Sequence, residues 1–154
     1  MTTRTPEGEL LTSLILETFR LNGSLLEAGN QITKPHGLTS ARWQVMGAID
    51  LENRPITVSQ IARQMGLTRQ AVQRIVNDLA SIGMVEVKPN VDHKRAPLVS
   101  ISKSGADAMV EVNKAQVRWV NQLADGLSER QISQALRLLE RVQKRCEETP
   151  TTTK

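Results

Sequence analysis

The chain has 154 residues, 39% hydrophobic and 23% charged, which suits one domain with one core, leaves little room for a second and excludes a low-complexity or membrane-embedded composition. Its single cysteine, Cys146, rules out an intramolecular disulfide and fits a reducing compartment. The net charge of +4 is uneven: Arg54 to Lys103 holds eight basic and three acidic residues, a local +5, and the remainder carries −1.

Residues 1–11 lack the apolar stretch of a secretory leader, so none is expected. A first helix is predicted from about Glu7 to Gln31, with Leu10, Leu11, Leu14, Ile15, Leu21, Leu25 and Leu26 on an apolar stripe at spacings of three and four. Pro35 and Gly37 interrupt the chain. A second helix runs from about Thr39 to Leu51, capped by Thr39 or Ser40, with Trp43, Val45, Met46 and Ile49 on its apolar side. Asn53-Arg54-Pro55 breaks it. Short helices over Val58–Met65 and Arg69–Ser81 flank Gly66-Leu67-Thr68. Met84–Lys88 and Leu98–Ile101 read as a β-hairpin around the polar turn Pro89–Arg95. A long helix follows from about Ser102 to Ala124. The last helix starts at Ser128, where Gln131 completes a capping box, and Thr149 to Lys154 is expected to fray. The apolar runs are only a few residues long, so no membrane span is expected.

The segment Val58 to Asn77 carries the functional signal. Ile61 and Met65 turn one helix towards the core, and small Ala62 permits a close helix crossing. Gly66 stands where the turn demands a positive φ, Leu67 is expected to fill the angle between the helices, and Thr68 is placed to cap the second helix. Val72, Ile75, Val76 and Leu79 form one buried face. The opposite face presents Arg69, Gln70, Gln73, Arg74 and Asn77. Arg pairs with guanine O6/N7, and Gln or Asn with adenine N6/N7, in the major groove. The helix N-terminus and the Thr68 hydroxyl suit phosphate, and Ser59, at the start of the preceding helix, is a further DNA-binding candidate. Lys94 and Arg95 sit near the hairpin tip beside His93, where a basic arm can reach a narrow minor groove. The pattern is a winged helix-turn-helix spanning 39–101. The fold class is therefore mainly α with a small β-hairpin, within a single domain of 1–154 whose helical regions at 7–33 and 102–147 must pack on each other, on a partner chain, or both.

These segments resemble the MarR family of bacterial regulators from about Leu38 to Met109, through LTSARWQVMGAI, VSQIARQMGLTRQAVQRIVNDLASIGMVE and PNVDHKRAPLVSIS. The resemblance implies a homodimer joined through its terminal helices, two winged lobes on a palindromic double-stranded operator, and an anionic or phenolic small effector that releases DNA. It places the recognition-helix role on Thr68, Arg69, Gln70, Gln73 and Arg74, and the wing arginine role on Arg95. The family's wing usually reads Asp-x-Arg. Aligned on Arg95, the Asp position holds His93, and Asp92 lies one residue earlier.

Trp43, Met46 and Met109 are candidate lining residues for an apolar effector pocket, although such side chains are more often plain core. His36 and His93 do not cluster with carboxylates, so no metal site is expected. Cys146 lies far from the N-terminal position of the reactive cysteine in the family's peroxide sensors, and an inert thiol is expected. No phosphate loop, nucleophile set or paired catalytic carboxylates stands out, so neither enzyme nor cofactor is expected. The leading expectation is a cytoplasmic, repressor-type regulator. The alternative is a winged-helix protein-interaction module without DNA binding, for which the basic recognition face has no use.

Overall fold

The computed structural model describes residues 3–149; apart from Thr149, the end expected to fray lies outside them. Helix α1 spans Pro6–Thr33 and starts on Thr5, whose hydroxyl accepts from the Gly8 amide at 3.1 Å, with Pro6 in the first turn where no N–H is needed. A 3-10 turn at Lys34–His36 ends on Gly37 at φ 69°. Helix α2, Ser40–Leu51, is capped by Thr39. Strand β1, Ile56–Thr57, leads directly into helix α3, Val58–Met65. Helix α4 covers Arg69–Ser81, strands β2 and β3 cover Val85–Lys88 and Leu98–Ile101, and helices α5 and α6 cover Lys103–Ala124 and Glu129–Glu148. Ser128 and Gln131 make the expected capping box.

The expected hairpin is part of a three-stranded antiparallel sheet in the order β1-β3-β2. In β1, Ile56 and Thr57 sit opposite Val99 and Leu98. Two residues after Pro55 carry no readable alternation, and their extended state depends on pairing with β3. Thr57 is also the α3 N-cap, in a capping box with Gln60. One residue thus ends a strand and starts a helix.

The core is continuous through this region. Val45, Met46 and Ile49 of α2 meet Ile61 of α3, Val72, Val76 and Leu79 of α4, Val85 and Val99 of the sheet, and Met109 and Val112 of α5. Fully burying such side chains is worth roughly 1.5–3 kcal/mol each relative to exposure. Leu67 departs from expectation. It is 43% exposed and does not fill the helix-helix angle. Gly66 at φ 62° turns the chain, and the Leu67 amide reaches back to the Ala62 carbonyl at 3.0 Å. That five-residue-back bond is a Schellman closure. The turn leaves Leu67 exposed, while Ile61, Val72 and Val76 are fully buried.

The chain divides into two compact units, residues 1–116 and 117–154, with the division inside α5. The end of α1 packs on α2, where Gly29 approaches the Ser40 side chain and Asn30 Oδ1 accepts from the Ser40 amide at 2.8 Å. Met109 and Val112 of α5 are buried in the core of the first unit. Within that unit only Gly29 and Thr33 of α1 are buried, while Leu10 is 74% and Phe19 68% exposed. In the second unit, α6 buries no described residue. No helix among the described residues is long and apolar enough to cross a membrane.

Gly105 fixes the entry to α5. A Cβ there would lie 2.1 Å from the Met84 carbonyl oxygen and 3.0 Å from Ile101 Cγ2. The same carbonyl accepts from the Ser102 amide at 3.1 Å. Gly105→Ala must therefore displace backbone, and is expected to cost about 1–3 kcal/mol, or roughly 2–12 °C of Tm for a chain of this size. Gly47→Ala is the control. Its Cβ would meet nothing within 4 Å, so the change relieves the helical glycine penalty instead. Paired thermal melts check this, and equal Tm values for the two variants would refute the clash.

Candidate nucleic-acid interface

Helix α4 is set by its N-cap: Thr68 Oγ1 accepts from the Ala71 amide at 3.2 Å. Val72, Val76 and Leu79 anchor it in the core, and Ile75 is half-buried at the edge. Its other face lines an open concavity of about 660 Å³ formed by Arg69, Gln70, Gln73, Arg74, Asn77 and Asp78. Arg69, Gln70, Arg74 and Asn77 are exposed, and Gln73 is half-buried. Gln73 donates through Nε2 to Asn77 Oδ1 at 2.9 Å, one turn apart, leaving the Asn77 amide group free to donate outwards. Asp78, at the far end of this face, lies 3.7 Å from Arg42.

The loop between β2 and β3 forms the wing. Ser59, Arg69, Asp92, His93, Lys94 and Arg95 share a second concavity of about 480 Å³. The structure thus brings together the start of α3, the start of α4 and the hairpin tip, three places separated in sequence. Lys94, Arg95 and Ser59 are exposed. Among the described residues, none of Arg69, Arg74, Lys94 and Arg95 pairs with a carboxylate, whereas Arg54 and Lys88 pair with Glu52 and Glu86 at 2.9 and 2.8 Å.

Asn90 supports the wing, and the sequence reading missed it. It is only 7% exposed. Its Nδ2 donates to the Ala96 carbonyl at 3.0 Å, and its Oδ1 accepts from the Asp92 amide at 3.1 Å. The Ala96 amide in turn donates to the His93 carbonyl at 2.9 Å. These bonds close the loop beneath Lys94 and Arg95 without an Asp–Arg pair. A polar residue in a polar turn carries no sequence signal that its partner lies six residues on.

Trp43 and Met109 line an open groove of about 660 Å³ within the first unit. Met46 does not: it is fully buried as a member of the hydrophobic core. The remaining lining includes Asp50, Gln64, Met65 and Gln116, with no lysine, arginine or histidine among the described residues.

A profile of the MarR family matches residues 36–96. An uncharacterized protein of Mycobacterium tuberculosis is 34% identical over 117 residues, 76% of this chain and 80% of that one. The chain belongs to the MarR family. The transcriptional activatory protein BadR of Rhodopseudomonas palustris, 26% identical over 115 residues, is similar across 71% of this chain and 64% of its own length. A mutant MarR from E. coli, crystallised with operator DNA, superimposes with a TM-score of 0.77 at 23% identity, over 90% of this chain and 99% of that one. The architecture is therefore that of a MarR-family winged helix, a fold of transcription regulators. The MarR-family profile ends at Ala96, so it takes in α2, both helices of the helix-turn-helix and the wing.

Proposed function

We propose that this MarR-family chain is a cytoplasmic transcription regulator that binds double-stranded DNA as a homodimer, represses from a palindromic operator, and is released by a small ligand. The observation that carries the DNA reading is the single face on which Ser59, Arg69, Lys94 and Arg95 meet, continuous through Arg69 with the polar side of α4, its cations free of carboxylate partners. Unpaired guanidinium groups keep their full capacity for phosphate and base edges.

In this reading α4 enters the major groove. Arg74, Gln73 and Asn77 read base edges, and Ser59, Thr68 and Arg69 bind flanking phosphate. Arg95, with Lys94, reaches the adjacent minor groove. The dimer is supported by the apolar side chains left uncovered on α1 and, separately, on α6. A two-fold dimer presents two recognition helices to half-sites one helical turn apart, about 34–36 Å. The test is selection of binding sites from random duplexes by the purified protein. An inverted repeat with that spacing is expected. Enrichment of no sequence, with no retention on duplex DNA, would contradict the reading.

The wing makes a separate contribution. Arg95→Ala is expected to weaken binding most on operators with A·T-rich flanks, whose narrow minor groove concentrates negative potential. Asn90→Ala should reproduce that loss of flank preference with Arg95 still present, because it releases the loop at Ala96 and Asp92. Amide exchange at Asp92 should accelerate in the same variant. Unchanged exchange together with intact flank preference would remove Asn90 from the wing.

A further inference from the structure

We propose that the groove lined by Trp43, Met65 and Met109 takes a lipophilic organic cation, such as a quaternary ammonium or phosphonium, rather than an anion. The argument is charge complementarity within one apolar recess. Asp50 is the only charged residue in the lining among the described residues. It is exposed and makes no ion pair among the described residues. Glu52 nearby is already engaged, paired with Arg54 and accepting from the Gln64 side chain. An anion entering this recess would lose water beside Asp50 and meet no positive group. A cation gains the carboxylate, the indole of Trp43, whose ring face attracts positive charge, and the polarizable sulfurs of two methionines. Gln44, Asn113 and Gln116 offer carboxamide oxygens at the rim. The volume, about 660 Å³, is that of a site for a drug-sized molecule.

The groove also has a route to the DNA face. Gln64 and Met65 form the last turn of α3, immediately before Gly66 and the cap of α4. An occupant that holds this turn differently from the DNA-bound arrangement biases the placement of Arg69. This second step rests on the regulator reading above, whereas the ligand class does not.

The test uses the full-length chain with Trp119→Phe, so that Trp43 alone reports, and two probes of matched shape and opposite charge. Tetraphenylphosphonium and tetraphenylborate are titrated in sodium buffer by Trp43 fluorescence. The cation should bind roughly tenfold tighter than the anion. Asp50→Asn should reduce that preference at least about threefold, and Asp50→Lys should reverse it. Asp50 is on the surface, so circular dichroism should show both variants folded. Equal or tighter binding of tetraphenylborate, a preference untouched by Asp50→Lys, or no binding of either probe would overturn the proposal. Duplex affinity is measured in parallel without probe. Loss of DNA binding there, with the charge preference intact, would sink the regulator reading and leave the ligand class standing.

Discussion

Replacing Leu136 and Leu139 together by glutamate should convert the protein to a monomer and lower operator affinity by roughly a hundredfold or more. The two leucines lie three residues apart on one face of α6 and are 56% and 40% exposed. The substitutions therefore leave the core of the winged lobe intact. In a two-fold dimer each leucine is buried twice, worth roughly 1.5–3 kcal/mol per fully buried side chain, and a carboxylate in its place adds a desolvation cost. Separation of the protomers leaves each lobe to bind one half-site alone, which forfeits the effective concentration that linkage provides. Sedimentation velocity at micromolar concentration checks the first half, and duplex titration the second. A variant that still sediments as a dimer would place the interface elsewhere. A wild-type monomer would remove the dimer from the account.

Arg74→Ala carries the second large effect. Arg74 is exposed on the polar face of α4, within the concavity shared with Gln70, Gln73 and Asn77. An arginine bidentate to guanine contributes about 1–3 kcal/mol of discrimination, so affinity for the selected operator should fall roughly 5- to 150-fold per half-site. The same variant should accept alternative bases at one position of each half-site. Equal losses on operator and on unrelated duplex would make Arg74 a phosphate contact, and unchanged affinity would remove it from the interface. Circular dichroism should match the wild type, because the guanidinium makes no ion pair within the described residues.

The elements that were legible in the sequence are those fixed by local chemistry. Thr68 and Gly66 mark the turn of the helix-turn-helix through a cap and a left-handed φ, so α3 and α4 begin and end where the pattern places them. The Ser128–Gln131 box likewise fixes the start of α6. Features created by distant partners were not legible. Strand β1 exists because Val99 and Leu98 supply its hydrogen-bonding edge. Asn90 matters because Ala96 and Asp92 return to it. Periodicity put Met46 and Trp43 on the same apolar side of α2, yet one is fully buried and the other half-exposed, a difference set by what packs above each residue.

The recognition residues themselves were readable as a list but not as a surface. Hydrogen-bonding side chains at helical spacing announce a polar face, and a basic hairpin tip alone is equally consistent with solvation. What the fold adds is convergence. The wing tip returns beside Ser59 and Arg69, while elsewhere on the lobe Arg42, Arg54 and Lys88 pair with Asp78, Glu52 and Glu86. The cations Arg69, Arg74, Lys94 and Arg95 on the α4 and wing side, unpaired among the described residues, form the electrostatic footprint proposed for DNA.

The salt dependence of duplex binding tests this footprint most directly. Between about 50 and 200 mM salt, the logarithm of the wild-type affinity should fall steeply and linearly against the logarithm of salt concentration, by about 0.9 per neutralised phosphate. The combined variant Arg69→Ala, Lys94→Ala and Arg95→Ala should flatten that slope by about one for each phosphate-binding cation removed per lobe. A wild-type slope near zero, or a variant slope and affinity equal to the wild type, would contradict a DNA interface built on α4 and the wing.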